Sequence, residues 1–254
     1  MTSKDPNLEP AAFSSTTKTA KVLAVPVAFN EEKKIGLVLD RFTSGLVDEI
    51  LVIDDASTDK TPQVVKEKGV KLISHQSQQG VGAAIRTAIE YARNNGFEII
   101  IILAGNDKDR PNEIPKLLKP IIEEGYDFVQ GSRYLPGGAY GNMPFYRRIA
   151  TKIHPLLFSF VTNKWVTDST NGFRAIRLSI FSDKHIDINQ NWLDKYELEP
   201  YIMYKAIKLG YRFKEVAVTK IYPPKELGYT KMKPITGWWS ILRPIFLLAT
   251  GIKK

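Results

Sequence analysis

The segment Ile99-Ile100-Ile101-Ile102-Leu103 sets the terms for the whole chain. Five apolar residues, four of them β-branched, run without alternation and are bounded by turn formers, the pattern of a strand buried on both faces in a parallel sheet. Such a strand needs cover above and below, so the expected fold is a mainly parallel sheet flanked by helices. The run ends abruptly in Ala104-Gly105-Asn106-Asp107-Lys108-Asp109-Arg110-Pro111. Ligands of open α/β sheets bind just beyond the carboxyl ends of the strands, which makes 104–111 the first place to look for chemistry. The alternative is a surface turn that only leads into a helix starting near Asn112.

The sequence around this run repeats the strand–helix rhythm. Residues 21–27 and 49–53 predict strands, and Ile35, Val38, Leu39 and Phe42 lie on one helical face. Thr61-Pro62 opens a helix that Gly69 ends, with Thr61 as the expected N-cap. A short strand over 70–73, a helix over 83–94 and a strand over 128–130 follow. Alternation of this kind implies right-handed βαβ crossovers. After Tyr134 the rhythm breaks into the turn-rich loop 136–142, a helix over 144–161, the polar stretch Asp168-Ser169-Thr170-Asn171-Gly172, a helix over 197–209 and a strand over 213–218. The expected division is a flexible arm over 1–19, one α/β domain over 20–220, and a basic, aromatic, amphipathic C-terminal segment over 221–254.

The net charge of +9 points to an anionic partner: nucleotide phosphates, a lipid phosphate or a charged surface. No repeated basic–aromatic pattern of a nucleic-acid module is present, so a nucleic-acid partner is not expected. The absence of cysteine excludes disulfides and thiolate metal sites and fits a cytoplasmic location. Residues 1–19 lack the apolar core of a secretory signal, and no stretch reaches the ~20 apolar residues of a spanning helix.

Val25-Pro26-Val27-Ala28-Phe29-Asn30-Glu31-Glu32, followed by Val52-Ile53-Asp54-Asp55-Ala56-Ser57-Thr58-Asp59, resembles the family 2 glycosyltransferases of the GT-A (Rossmann-like) fold. Gly80-Val81-Gly82-Ala83-Ala84, Gly131-Ser132-Arg133 and Asn171-Gly172-Phe173-Arg174 narrow the resemblance to the polyprenyl-phosphate (dolichol-phosphate) mannosyl- and glucosyltransferase branch. It covers roughly residues 21–220 and implies transfer of a sugar from a nucleotide-sugar, with inversion at the anomeric carbon. The residue chemistry is compatible. Pro26, Asn30, Glu31, Asp54 and Asp55 end the first two strands, where acidic groups can accept hydrogen bonds from ribose or base; a capped turn is the alternative for the aspartates. Gly82 can admit a ligand close to backbone or simply open a helix. Asn106, Arg133, Lys231 and Lys233 complete the expected nucleotide-sugar contacts.

One departure stands out. The family usually carries Asp-x-Asp directly after the fourth strand, holding a divalent cation (Mg or Mn) on the diphosphate; here those positions are Ala104 and Asn106. Two accounts are open: Asn106, Asp107 and Asp109 form a metal site on a shifted loop, or Lys108 or Arg110 neutralises the leaving diphosphate directly. For a lipid-phosphate acceptor, the resemblance assigns Arg147, Arg148 and Thr151 to its phosphate. A hydroxyl acceptor would need a carboxylate base: Asp168 first, then Glu197 or Glu199. Arg174 is a further candidate at the reacting centre, and Asp168 can instead brace it.

Tyr222, Tyr229, Trp238 and Trp239 alternate with Lys225, Lys231, Lys233 and Arg243, a composition suited to an anionic membrane interface. The expected activity is sugar transfer to a polyprenyl phosphate by a peripheral enzyme on the cytoplasmic membrane face. Transfer to a glycan or glycolipid hydroxyl and a non-catalytic nucleotide-sugar-binding protein are the alternatives, and a homo-oligomer is left open.

Overall fold

A computed structural model describes residues 20–227 and 236–253, with no side-chain placement for Lys225, Thr236 and Trp238. The expected N-terminal arm and residues Tyr229, Lys231 and Lys233 lie outside the described residues. In chain order the strands are β1 (Val22–Ala28), β2 (Glu49–Asp54), β3 (Lys71–Ser74), β4 (Ile99–Ala104), β5 (Phe128–Ser132), β6 (Ala139–Gly141), β7 (Arg174–Arg177), β8 (Phe213–Ala217) and β9 (Thr219–Ile221). The α-helices are α1 (Ile35–Leu39), α2 (Thr61–Glu67), α3 (Val81–Asn94), α4 (Ile114–Glu124), α5 (Phe145–Thr162), α6 (Leu198–Lys208) and α7 (Thr236–Ala249).

Seven strands form one sheet in the order β3-β2-β1-β4-β7-β5-β8, and β6 pairs with β9 in a separate two-stranded sheet. β4 is central and wholly covered. Its side chains alternate between two cores, as a period of two requires. Ile100 and Ile102 join α3, α6 and Phe158 of α5 on one face, while Ile99, Ile101 and Leu103 meet α4 and Val38 of α1 on the other. The expected mainly parallel sheet between helices is what forms.

β7 is the exception. It runs antiparallel to both neighbours, Ile101 facing Ala175 and Val129 facing Ala175 from the other side. The loop expected over 136–142 contributes β6, which lies parallel to β9. Thr61 does not cap α2 from outside but is its first residue; Asp59 accepts from its backbone N–H at 2.9 Å, and its hydroxyl accepts from Glu31 N–H at 2.7 Å. The C-terminal helix is not a detached appendage: Ile245 and Leu248 of α7 are buried in the main core.

Ile101→Ala removes a fully buried side chain from the most enclosed strand. It is expected to lower unfolding stability by about 2–5 kcal/mol, read from the denaturant midpoint at unchanged m-value.

Candidate active site

The site is built where the carboxyl ends of β1, β2, β4 and β5 meet the β9 segment. Three loops form one side of it, and they are fastened to each other. Asn30, in a left-handed conformation (φ 51°), accepts from Thr58 N–H at 2.7 Å and donates its own N–H to Ser57 Oγ at 2.7 Å. Asp54 takes the Ser57 hydroxyl. Asp55 accepts from Gln79 and Gly80 N–H, both at 2.8 Å, and pairs with His75 Nδ1 at 2.8 Å. Both aspartates are therefore built into the rim, closer to the capped-turn reading. Glu31 pairs with Lys34 at 2.6 Å, and Lys34 also donates to Leu227 O at 2.9 Å.

Gly82 opens α3 where another part of the chain approaches closely. A Cβ there would lie 2.0 Å from Leu193 O and 2.7 Å from Lys195 O, so the glycine admits the chain at 193–195 rather than a ligand.

The loop after β4 separates its two carboxylates. Asp107, also left-handed (φ 61°), is held by Arg41, with Arg110 at 3.6 Å. Asp109 is buried against Lys220, which also donates to Asn171 Oδ1 at 3.0 Å. Whether this loop suits a divalent cation is decided by these oxygens. Ala104 offers none, Asn106 offers one buried neutral amide oxygen without a hydrogen-bond partner, and each aspartate already faces a cation. Among the described residues no cluster of three His, Asp or Glu converges. A hard cation held by paired carboxylates does not fit this arrangement of Asn106, Asp107 and Asp109.

Lys108 lies between these two pairs. It is buried, and its ammonium sits 4.6 Å from the centre of the Tyr222 ring. Burial, then the nearby Lys220 and Arg147, push it down to about 7. Arg147 approaches the same tyrosine, donating to its hydroxyl at 3.3 Å. Lys220 and Tyr222 were missed in the sequence because they open a stretch whose composition suggests a membrane belt. The available signal was spacing: two residues apart at the end of a strand, they share a side.

Several expected site residues make contacts that hold the structure together. Asp168 is 0% exposed and forms a two-pronged pair with Arg133, both contacts 2.7 Å, while Arg133 N–H donates to the same carboxylate at 3.1 Å. Burial opposes the charge of Asp168, but Arg133 overcomes it and holds the carboxyl below its usual range. A sealed, ion-paired carboxylate is a poor proton acceptor, which favours the bracing alternative over the role of base. Glu197 pairs with Arg243 at 2.7 Å and Glu199 with Arg174 at 3.0 Å, so all three carboxylates considered for a hydroxyl acceptor are engaged. Arg174, likewise buried, donates to Asn171 O at 2.6 Å and to Glu199 O at 3.2 Å, binding β7 to α6. The Thr151 hydroxyl donates to Arg147 O at 2.6 Å and meets the Tyr134 hydroxyl at 2.6 Å, fixing the first turn of α5. Arg148 is exposed and donates to Met143 O at 3.0 Å. Glu215, unnoticed in the sequence, accepts from Thr167 and Asp168 N–H at 2.8 Å and so supports the Asp168 loop from β8.

α5 buries Phe158 in the main core but carries much of its apolar surface on the outside. Thr151, His154, Ser159 and Thr162 face the protein, whereas Ile149, Ile153, Leu156, Leu157 and Phe160 face outward, Phe160 being 88% exposed. Phe145, Tyr146 and Trp165 extend this face, and Trp239 and Phe246 of α7 add to the exposed apolar surface. Neither helix contains an acidic residue. No helix among the described residues is long and apolar enough to cross a membrane. Of the expected C-terminal belt, Tyr222 is buried in the site and Arg243 is held by Glu197, leaving Trp239 exposed.

Comparison with known proteins agrees with this architecture. The family model described as Glycosyl transferase family 2 matches residues 24–184. A dolichyl-phosphate hexose transferase of Haloferax volcanii is 31% identical over 222 residues, covering 85% of this chain and 89% of the relative. The polyprenol monophosphomannose synthase of Mycolicibacterium smegmatis is 27% identical over 231 residues, covering 88% and 84%. Among solved structures, glucosyl-3-phosphoglycerate synthase of Mycobacterium tuberculosis, in complex with Mn2+, UDP-glucose and phosphoglyceric acid, has a TM-score of 0.66 at 20% identity, covering 92% of this chain and 81% of the other.

Two stability experiments test the geometry. Asp168→Asn strands a buried Arg133 and is expected to cost about 3–5 kcal/mol by chemical denaturation. His154 is pushed by burial down to about 4. The unfolded chain takes up this proton near pH 6.5 and the folded chain only near 4. Stability from this group is thus intact above about 6.5 and falls as pH drops toward 4. Denaturation midpoints measured across that window are expected to fall less steeply in His154→Gln than in the parent.

Proposed function

This chain belongs to glycosyl transferase family 2, and from that premise we propose that it moves a sugar from a nucleotide-sugar to a polyprenyl-phosphate lipid, with inversion, as a peripheral enzyme at the cytoplasmic face of a membrane. The observation that carries the lipid part is α5. One rigid helix presents an outward apolar face and, at its first turn, places Arg147 against the site. An exposed apolar surface of this size, free of acidic side chains and edged by Arg148 and Lys152, suits the headgroup boundary of an anionic bilayer. The names of the Haloferax and Mycolicibacterium relatives point to the same acceptor class.

The chemistry asks little of a base. An acceptor phosphate oxygen is already anionic near neutral pH and attacks the anomeric carbon opposite the leaving group. The bond from that carbon to the donor's β-phosphate oxygen breaks and its electron pair stays on that oxygen. The products are the glycosyl phospholipid and a nucleoside diphosphate, with no proton transferred. Engagement of Asp168, Glu197 and Glu199 in ion pairs suits an acceptor that needs no deprotonation. In this reading Pro26, Asn30, Glu31, Asp54 and Asp55 shape the nucleotide rim, Arg133 stiffens the floor, and Arg147 with Arg148 attracts the acceptor phosphate. The Asp54 and Asp55 carboxylates act mainly through the loops they hold.

Incubation with a panel of labelled nucleotide-sugars and polyprenyl phosphate is expected to yield a lipid-extractable, mild-acid-labile product. Product formed only on a glycan acceptor, or none with any donor, would overturn the reading. Flotation with anionic vesicles tests the surface: Leu156→Asp with Phe160→Asp is expected to reduce vesicle binding by about 10-fold or more, and unchanged flotation would count against membrane docking through α5.

A further inference from the structure

We propose that the ammonium of Lys108, set between Lys220 and Arg147, meets the donor diphosphate in place of a divalent cation, so that this chain binds and releases nucleoside diphosphate without metal. The proposal rests on the nucleotide-sugar reading and assigns how the leaving group is held.

Lys108 follows the central strand, at the sheet edge where ligands of this architecture lie. It is 5% exposed, and its ammonium lies 4.6 Å from the centre of the Tyr222 ring. The two nearby carboxylates are each paired with another lysine, Asp109 with Lys220 and Glu31 with Lys34. Lys108 adds a further basic group beside these pairs, held at about 7 by burial and by Lys220 and Arg147, so that a bound anion would favour its charged form. Burying such a charge among like charges is unfavourable unless an anion completes the arrangement. A diphosphate, carrying several oxygens to accept charge-assisted hydrogen bonds, is an anion of the right kind.

The same charges oppose a metal ion. A divalent cation here would approach Lys108, Lys220 and Arg147, and the electrostatic repulsion would be strongest where water is excluded. Asp107, turned toward Arg41 and Arg110, lies in a separate ion pair.

The cation is also placed. Its ring contact with Tyr222 and the bond from Ile221 N–H to Lys108 O at 3.0 Å tie the loop to β9, so the ammonium need not be ordered during reaction. As the anomeric bond breaks, Lys108 donates a hydrogen bond to the β-phosphate oxygen that receives the electron pair, and keeps its proton. Lys220, engaged with Asp109 and Asn171, is a positioning residue.

Titration calorimetry of the full chain with GDP and UDP, in excess EDTA and in millimolar Mg2+ or Mn2+, tests this directly. The nucleotide that binds is expected to do so with affinities within about threefold across these conditions. Lys108→Met, which keeps the apolar stem, is expected to weaken diphosphate binding by about 10- to 100-fold while leaving the corresponding nucleoside unchanged, and Lys108→Arg to recover part of the loss. Loss of binding on chelation, or parental affinity in Lys108→Met, would overturn the proposal alone. If the parent binds neither nucleotide with or without metal, the nucleotide-sugar reading falls as well. The chelation arm needs no variant and stands whether or not Lys108→Met folds.

Discussion

A strand with no wet face leaves its polar chemistry nowhere to go but its ends. β4 is covered above and below, so the buried charges of this protein collect on the carboxyl rim of the sheet, where each must find a partner. Lys220 with Asp109, Arg133 with Asp168, and Lys34 with Glu31 are the result. Buried pairs of this kind return little net stability after desolvation. What they supply is position: Lys220 with Asp109 and Arg133 with Asp168 each join segments distant in sequence, Lys34 with Glu31 fixes a local turn, and together they give the rim its shape.

Much of this was legible from spacing. The parallel halves follow from period-two and period-3.6 patterns, and α5 was expected over 144–161 and found at Phe145–Thr162. Its orientation was not legible, because a helix with one apolar stripe reads the same whether that stripe faces in or out. β7 escaped notice for another reason. It is four residues long with arginine at each end, and only its place between β4 and β5 makes it a central strand. Around the site, residue types indicated the rim but not the pairings. Asp168 was considered as a brace for Arg174; its partner is Arg133, supplied by a strand end 35 residues away. Tertiary pairing of this kind leaves no local trace in a sequence.

The comparisons and the structure agree on the family and diverge at one loop. The solved neighbour has Mn2+ with its nucleotide-sugar, whereas the loop after β4 here pairs each aspartate with a basic side chain.

The antiparallel insertion of β7 also bears on how the molecule is made. β5 has no partners in the sheet except β7 and β8, both of which come later in the chain. A nascent chain that has passed residue 132 but not 177 holds two strands, β4 and β5, each waiting for the same neighbour, and Phe128 waits longer still for Phe213. Long-range closure of this sort slows folding and prolongs the life of open edges. Asp109 and Asn171 acquire their shared partner Lys220 only when β9 has been made and docked, so this part of the rim takes shape late in synthesis.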